Sequence, residues 1–390
     1  MMQALEAHGK PPGRGRVWLM ALGALVLIVV AAGVAYSLGK SSAGSKNAGG
    51  GTTTTVPRVV TPLTVLSTVP APGAKTVASN ATITVTFSTP VALGSVQPSL
   101  TPPVAGKWVQ ASPTTIRYDL AAPFIPSSNE TVTIPGGSAG VQAKDGSALA
   151  ATDSIAFTVA DGDMLRLQEL LADLQYLPLT FTPSGATSSP KDAATPQFGN
   201  FAWRWSTLPA NLTSLWTQGV ESVVTKAAVM TFENDNGLVV DGLAGPQVWA
   251  TLLQDVAAGK MDPSPYTYVL VSKVLPENVT LYNNGAVQYS NIPVNTGAPG
   301  ADTTDGTYPV FEHVTSSRMK GTNPDGTTYD DPAVPWASYF NGGDALHGFV
   351  RAQYGFPQSN GCVEMTVADA GTLWPLTPIG TLVTVVGPAS

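Results

Sequence analysis

The sequence predicts a multidomain, mainly β protein: an N-terminal transmembrane helix, a β-sandwich, a small helical bundle and a β-rich C-terminal domain. Three observations support this. One apolar stretch is long enough to span a bilayer, apolar and polar residues alternate along two large parts of the chain, and a helical period separates those parts. The 390-residue length fits about two to four domains, at roughly 100 to 200 residues each.

Composition excludes several classes of function. The chain has 19 Lys and Arg against 26 Asp and Glu, a net charge of -7 and no dense basic stripe, so no nucleic-acid partner is expected. Its single cysteine, Cys362, excludes intrachain disulfides and cysteine-rich metal sites, and 3 histidines argue against a histidine-rich site. We therefore expect no metal centre.

Residues 17–39 form an uncharged, mostly apolar stretch. At about 1.5 Å per residue, a helix of this length crosses a hydrocarbon core of about 30 Å. The length favours an uncleaved anchor over a signal peptide. Because Lys10, Arg14 and Arg16 precede it, the positive-inside rule places residues 1–16 in the cytoplasm. The sequence thus predicts a single-pass protein of the cell membrane, with the rest of the chain on the extracytoplasmic, cell-wall side.

The next part of the chain changes from linker to strands. Residues 40–58 are rich in Ser, Gly and Thr and cannot bury enough apolar surface to fold, which predicts a flexible linker. Beyond it, apolar residues recur with a period of two between turn residues, as at Ile83, Val85 and Phe87. This pattern predicts a β-sandwich over residues 59–160. Its role is a spacer or a docking surface, and the spacer is favoured.

A helical period begins near residue 161. Asp163 is placed to cap a first helix, whose apolar face carries Met164, Leu167, Leu171 and Leu174. A second helix is predicted over 226–234, and a third starts at Pro246, since proline suits the first helical position. These signals predict a helical domain over residues 161–260 with an insertion at 178–218.

Strands return over residues 265–387. Val279 and Leu281 lead into Asn283-Asn284-Gly285, a favourable hairpin turn. The apolar run at 381–386 predicts a buried strand. This β-rich region is the candidate chemical domain.

The candidate chemistry centres on Cys362, which follows Ser359-Asn360-Gly361. A free thiol has a pKa of about 8.5, so a cysteine nucleophile needs a neighbouring base, and His347 is the candidate. Gly361 permits a tight turn whose backbone N–H groups can face an oxyanion. The residues alone leave open a buried packing cysteine. The predicted location of this single cysteine outside the membrane favours a reactive role over a packing role.

Three parts of the chain resemble known families. The pattern L-H-G-F followed by S-N-G-C-V-E-M, behind Y-T-Y-V-L-V and T-G-A-P-G-A-D-T-T-D-G-T-Y-P-V-F, resembles the catalytic domain of L,D-transpeptidases, the YkuD-like family. The β-sandwich looks like a bacterial immunoglobulin-like module. Segments 165–171, 228–238 and 240–246 resemble the small helical peptidoglycan-binding domain, and a bundle used only for packing is the alternative.

The catalytic resemblance implies that Cys362 is the nucleophile and His347 its base. Backbone N–H groups of Gly361 and Cys362 would form the oxyanion hole. The implied activity is an acyl transfer between peptidoglycan stem peptides through a cysteine thioester, with no metal or organic cofactor and with carbapenem β-lactams as inhibitors. Residues expected to line the substrate site are Trp336, Tyr339, Phe340, Gly348, Ser359 and Asn360, with aromatic core packing as the alternative for the first three.

Three features depart from the family pattern. Asn360 stands where many members have His, Glu364 replaces a frequent Arg or Asn, and the interval between His347 and Ser359 is short. A carboxylate at Glu364 is expected to raise the pKa of the thiol. The alternatives are a catalytically impaired wall-binding scaffold, or an L,D-carboxypeptidase or cysteine hydrolase in which water replaces the acceptor amine.

Overall fold

The computed structural model describes residues 61–387 except Ser95, Ala186 and Thr187. The predicted tail, transmembrane helix and linker, at 1–16, 17–39 and 40–58, lie outside these residues. Within the described part of the chain, no helix is both long and apolar enough to cross a bilayer. The described residues all belong to one compact unit.

The predicted β-sandwich is confirmed. Its strands are β1 (Val65–Val69), β2 (Ile83–Phe87), β3 (Ser99–Thr101), β4 (Gly106–Ser112), β5 (Thr115–Leu120), β6 (Asn129–Ile134) and β7 (Asp153–Thr158). They form two antiparallel sheets, ordered β1-β2-β5-β4 and β3-β6-β7. Alternation turns one residue in two inward, so that Val85, Ile116 and Val132 meet in a common apolar core.

The helices of the next region lie over residues 164–258, and those that begin at Met164 and Pro246 follow the predicted capping signals. They are α1 (Met164–Asp173), α2 (Ala210–Thr213), α3 (Val223–Asp235) and α4 (Pro246–Ala258). The Asp163 carboxylate accepts the backbone N–H of Leu165 at 2.8 Å, which caps α1. Helix α3 starts earlier than predicted because Ser222 caps it. Trp249 of α4 is fully buried against the other helices.

The insertion at 178–218 folds into a hairpin, β8 (Leu179–Pro183) with β9 (Gly199–Trp203), and then α2. It packs between the helices and the C-terminal domain. Trp205 stacks on Tyr266 with ring centroids 6.2 Å apart, and Thr207 Oγ1 donates a hydrogen bond to the Gly285 carbonyl at 2.6 Å. Leu382 of the C-terminal domain belongs to the same apolar core as the helices. The insertion therefore connects the helical domain to the C-terminal domain through direct packing contacts.

The C-terminal domain has two sheets. Their strands are β10 (Thr267–Ser272), β11 (Asn278–Asn283), β12 (Ala286–Pro293), β13 (Gly306–Pro309), β14 (Glu312–Thr322), β15 (Thr328–Asn341), β16 (Asp344–Gly348), β17 (Val363–Met365) and β18 (Leu382–Val386). One sheet has the order β12-β11-β10-β18-β13 and the other β14-β15-β16-β17, with helix α5 (Val367–Leu373) packed on β16.

Both strand features predicted for this domain are confirmed. Asn284 and Gly285 have φ of 46° and 76° and form the turn between β11 and β12. The apolar C-terminal run forms the buried strand β18, which lies parallel to β10. The apolar core between the two sheets leaves the opposite face of β16 and β17 free to form a site.

Candidate active site

The pairing of β16 with β17 brings the predicted catalytic residues to one face. The two strands are parallel, with Leu346 opposite Val363 and His347 opposite Glu364. Leu346 and Val363 belong to the apolar core. Because strand side chains alternate between faces, His347 and Glu364 point the other way, and so does Cys362, two residues before Glu364.

This face lines a cavity of about 530 Å³. The long hairpin formed by β14 and β15 supplies the facing wall. Cavity-lining residues besides Cys362 and His347 include Tyr329, Tyr339, Asp344, Arg351, Asn360 and Glu364. The predicted nucleophile and base therefore border the same open space.

The Cys362 thiol is protonated at rest. Its side chain is half-buried, and Sγ lies 3.6 Å from the carbonyl oxygen of Gly343. Burial, with smaller contributions from the nearby carboxylates of Asp344 and Glu364, raises the pKa of Cys362 to about 12. The effect expected of Glu364 thus has the predicted direction, although burial is the larger cause. A thiol in this state needs a base to become a nucleophile.

His347, the predicted base, is held in one orientation by the backbone. It is 2% exposed, and its Nδ1 lies 3.1 Å from the carbonyl oxygen of Gly348. A carbonyl only accepts, so Nδ1 carries the proton and Nε2 is left with the basic lone pair. Burial lowers the pKa of His347, which keeps the imidazole neutral and able to take a proton.

The turn before Cys362 is held by hydrogen bonds to the Ser359 side chain. Ser359 Oγ accepts the Gly361 N–H at 3.2 Å and donates to the Cys362 carbonyl at 2.6 Å. Gly361 has φ of 109°, and a Cβ at this position would lie 2.4 Å from Asp344 Oδ1. The turn therefore requires glycine, which agrees with the role expected of Gly361.

The residues predicted to line the substrate site separate into two groups. Tyr339 and Asn360 lie on the cavity. Phe340 is a correction: it is 3% exposed and part of the apolar core, because it follows Tyr339 on β15 and points to the opposite face. Trp336 also differs from the expectation, since it packs against that core and lies 5.5 Å from the Trp374 ring.

Ser359 and Gly348 are likewise not wall residues. Ser359 is 1% exposed and acts through its hydrogen bonds within the turn. Gly348 is buried, and a Cβ there would lie 2.9 Å from the Cα of Val367 in α5. Its carbonyl orients the imidazole. Both residues therefore support the site without lining it.

Sequence reasoning missed several cavity residues, and two of them, Tyr329 and Arg351, lie close to the thiol or to Glu364. Tyr329 lies near enough to Cys362 for the charge of the thiolate to raise its pKa, after the larger effect of burial. Arg351 binds Glu364 through two hydrogen bonds, at 2.7 and 2.8 Å. Neither carries a local signal, because each meets the thiol region through tertiary pairing.

Comparison with family models agrees with this geometry. Residues 266–385 match the L,D-transpeptidase catalytic domain, residues 59–159 the bacterial Ig-like domain and residues 214–252 the peptidoglycan binding domain. A comparison with curated proteins gives no match.

Solved structures give remote likenesses. The L,D-transpeptidase from Mycobacterium smegmatis is 12% identical over 84% of this chain and 100% of that chain, with a TM-score of 0.28. L,D-transpeptidase 3 from Mycobacterium tuberculosis is 14% identical over 83% and 98%, with a TM-score of 0.29. The catalytic domain of the E. faecium L,D-transpeptidase is 25% identical over 32% and 100%, with a TM-score of 0.28.

The family assignment rests on the three family models and on the residues that they match. The match to the catalytic-domain family covers β16, β17 and the turn between Ser359 and Cys362. It therefore includes both His347 and Cys362. Residues 266–385 of this chain are therefore an L,D-transpeptidase catalytic domain of the YkuD family, preceded by a bacterial Ig-like domain and a peptidoglycan binding domain.

Proposed function

We propose that this chain is a membrane-anchored L,D-transpeptidase that cross-links peptidoglycan stem peptides through a thioester on Cys362. The observation that carries the proposal is the placement of Cys362 and His347 on one face of β16 and β17, beside an open cavity. Their protonation states support it, because a neutral thiol and a neutral imidazole are the reactants for proton transfer within such a pair.

The first half-reaction acylates the enzyme. His347 Nε2 takes the thiol proton, and Sγ attacks the carbonyl carbon between an L-centre and the terminal D-residue of a donor tetrapeptide. The carbonyl oxygen becomes an oxyanion. When the tetrahedral intermediate collapses, the C–N bond breaks, the imidazolium returns its proton to the departing amine, and a thioester and a free D-amino acid remain.

The second half-reaction transfers the acyl group. An amine from a neighbouring stem attacks the thioester, His347 accepts the amine proton, and the C–S bond breaks to leave a thiolate that the imidazolium reprotonates. The product links the third residues of two stems, so the cross-link and the released amino acid account for every atom.

We assign oxyanion stabilisation to the backbone N–H groups of Gly361 and Cys362. At rest the Gly361 N–H points at Ser359 Oγ over 3.2 Å, the long end of the range for an N–H···O bond. This weak contact can be shared with an oxyanion at little cost. The positive φ of Gly361 turns the local backbone sharply just before the nucleophile.

The anchoring part of the proposal rests on the N-terminal sequence. The apolar residues 17–39 and the three cations before them support a single-pass anchor with the catalytic domain on the cell-wall side. The linker at 40–58 can extend at most about 60 Å. With the β-sandwich and the helical domain beyond it, it would hold the catalytic cavity away from the bilayer and within reach of stem peptides.

One incubation separates the proposed function from its alternatives. The full chain, purified in detergent, is mixed with a tetrapeptide donor and an acceptor stem, and products are read by mass spectrometry. A cross-linked dimer supports transfer. Tripeptide alone means that water is the acceptor and the protein is a carboxypeptidase, and unchanged donor with no carbapenem adduct on Cys362 means a scaffold without turnover.

A further inference from the structure

Arg351 and Glu364 form an ion pair on the cavity wall that has no part in the acyl transfer above. The Nε and Nη2 groups of Arg351 donate to the two carboxylate oxygens of Glu364 at 2.7 and 2.8 Å. Glu364 is 5% exposed, whereas the Arg351 side chain is 30% exposed. Two-pronged, charge-assisted bonds of this kind hold both partners in one geometry.

The pair lies beside both reacting side chains. Glu364 is opposite His347 in the β16–β17 register, and Cys362 precedes it by two residues on the same face. The Arg351 guanidinium lies 4.6 Å from the centroid of the Phe349 ring. That ring in turn meets His347 edge to face, with centroids 6.0 Å apart. The ion pair and Phe349 therefore flank the imidazole.

A buried carboxylate in this place would oppose the chemistry if it stood alone. Negative charge near a thiol disfavours the thiolate, and nearby positive charge favours it. Glu364 is too buried for water to screen its charge well, so a bound cation must do so. Arg351 supplies that cation at hydrogen-bonding distance.

We propose that Arg351 and Glu364 act as one positioning unit, in which Arg351 offsets much of the charge of Glu364 at Cys362 and thereby favours ionisation of the thiol. The proposal rests on the nucleophilic role proposed for Cys362. Neither residue touches the reacting atoms, so both act through Cys362 and His347. The unit differs from a simple structural clamp because it fixes the pH at which the thiol becomes reactive.

Other charged or titratable groups also face this space from each neighbouring element. They are Arg318 and Lys320 on β14, Tyr329, Asp331 and Tyr339 on β15, and Asp344 on β16. Arg318 is held by a two-pronged pair with Asp330, on side chains that are 64% and 49% exposed. That pair is a matched control, since it has the same geometry without the burial.

The test is the pH dependence of alkylation of Cys362 by iodoacetamide, followed on the full chain by intact mass. The chain has 1 cysteine, so each adduct reports this thiol. In Glu364→Gln the apparent pKa is expected to fall by about one unit, with alkylation about tenfold faster at pH 7. Arg351→Gln is expected to shift it upward by a similar amount. Arg351→Lys and the double variant Arg351→Gln/Glu364→Gln are expected to stay near wild type.

Folding loss does not obscure the result. Arg351→Gln leaves a buried carboxylate without its partner and could therefore destabilise the fold. Glu364→Gln leaves only a partly exposed guanidinium, so the pH profile of this variant is the decisive test of the proposal. An unmoved profile in folded Glu364→Gln overturns the proposal. The proposal is also overturned if the apparent pKa of Cys362 shifts as far in Arg351→Lys as in Arg351→Gln. An equal shift in Arg318→Gln would overturn it as well. A wild type that alkylates normally yet resists carbapenem would contradict the proposed function and leave this test intact.

Discussion

Thr303 Oγ1 donates a hydrogen bond to the carbonyl oxygen of Gly361 at 2.6 Å, and the same hydroxyl accepts the Gly297 N–H at 2.9 Å. Thr303 is fully buried, so this contact anchors the residue before the nucleophile to the loop that precedes β13. Together with Ser359, it provides hydrogen-bond partners for both the N–H and the carbonyl of Gly361. The backbone around Cys362 is thus set before substrate arrives, which is the condition for preorganised oxyanion donors.

Replacing Gly361 should therefore impair acylation strongly. In Gly361→Ala the methyl group meets Asp344 Oδ1 and the positive φ is strained, at a cost of about 1 to 3 kcal/mol. We expect carbapenem acylation to slow by about tenfold to a hundredfold. Gly342→Ala is the matched control: its φ is 55°, and a Cβ there has no neighbour within 4 Å. Equal slowing in both variants would contradict the clash with Asp344.

Cys362→Ala should abolish acylation and leave the fold intact. The side chain is half-buried, so losing the sulfur removes few packing contacts. Intact mass after incubation with a carbapenem should show no adduct, and the far-UV circular dichroism spectrum should match wild type. An adduct that persists in this variant would place the nucleophile elsewhere.

His347→Ala should slow acylation by about a hundredfold or more, a typical effect of losing a general base. Stopped-flow measurement of carbapenem ring opening gives the rate. His313→Ala is the control in the same domain, because His313 stacks on Trp374 at 3.9 Å between ring centroids and does not line the cavity. A wild-type rate in the His347 variant would show that another group takes the thiol proton.

Asp344→Asn should make Cys362 more reactive above pH 6. Burial raises the pKa of Asp344 to about 6, so at pH 7 it carries a negative charge that opposes the thiolate. The amide stays neutral, so alkylation at pH 7 to 8 should be faster than in wild type. No change in rate would mean that the carboxylate is screened from the sulfur.

The same variant should change the pH dependence of stability. Because the folded pKa of Asp344 exceeds its unfolded value, the folded state binds more protons between about pH 4 and 6, and this contribution to stability is lost as pH rises through that window. Urea denaturation at pH 4.5 and 7 should show a smaller difference in Asp344→Asn than in wild type. An unchanged difference would rule out Asp344 as the titrating group.

Trp205→Ala should destabilise the protein by about 2 kcal/mol, because it removes a half-buried ring that stacks on Tyr266 of the C-terminal domain. Urea denaturation of the full chain measures the free energy of unfolding. Phe198→Ala is the control from the same insertion: Phe198 is 89% exposed, and its loss should change stability by less than about 0.5 kcal/mol. Similar changes in the free energy of unfolding in both variants would mean that the contact between Trp205 and Tyr266 does not stabilise the protein.

Local signals in the sequence predicted the features that neighbours along the chain decide. Asp163 and Pro246 marked helix starts because capping depends on the first turn alone. The hairpin turn at Asn284-Gly285 was readable for the same reason. The need of a cysteine nucleophile for a base made His347 the candidate partner of Cys362, 15 positions further along the chain, and the family resemblance gave the pair its catalytic roles.

The remaining features depend on tertiary pairing. Which face Tyr339 and Phe340 take could not be read because Trp336, with φ of 60°, interrupts the alternation along β15. Arg351 and Glu364 meet across a loop of 12 residues. No local sequence pattern indicates that these two side chains form an ion pair. The hairpin of the insertion was missed because its strands, β8 and β9, are joined by a long connection without a tight-turn signal.

The apolar core shared by the helices and Leu382 makes the last two domains poor candidates for modular exchange. Removal of the residues before Thr267 would expose Tyr268, which is fully buried in that core. Recombinant truncation to the catalytic half alone should accordingly yield aggregation-prone material. We therefore expect chimaeras of this protein to stay soluble only if they keep the helical domain together with the catalytic domain.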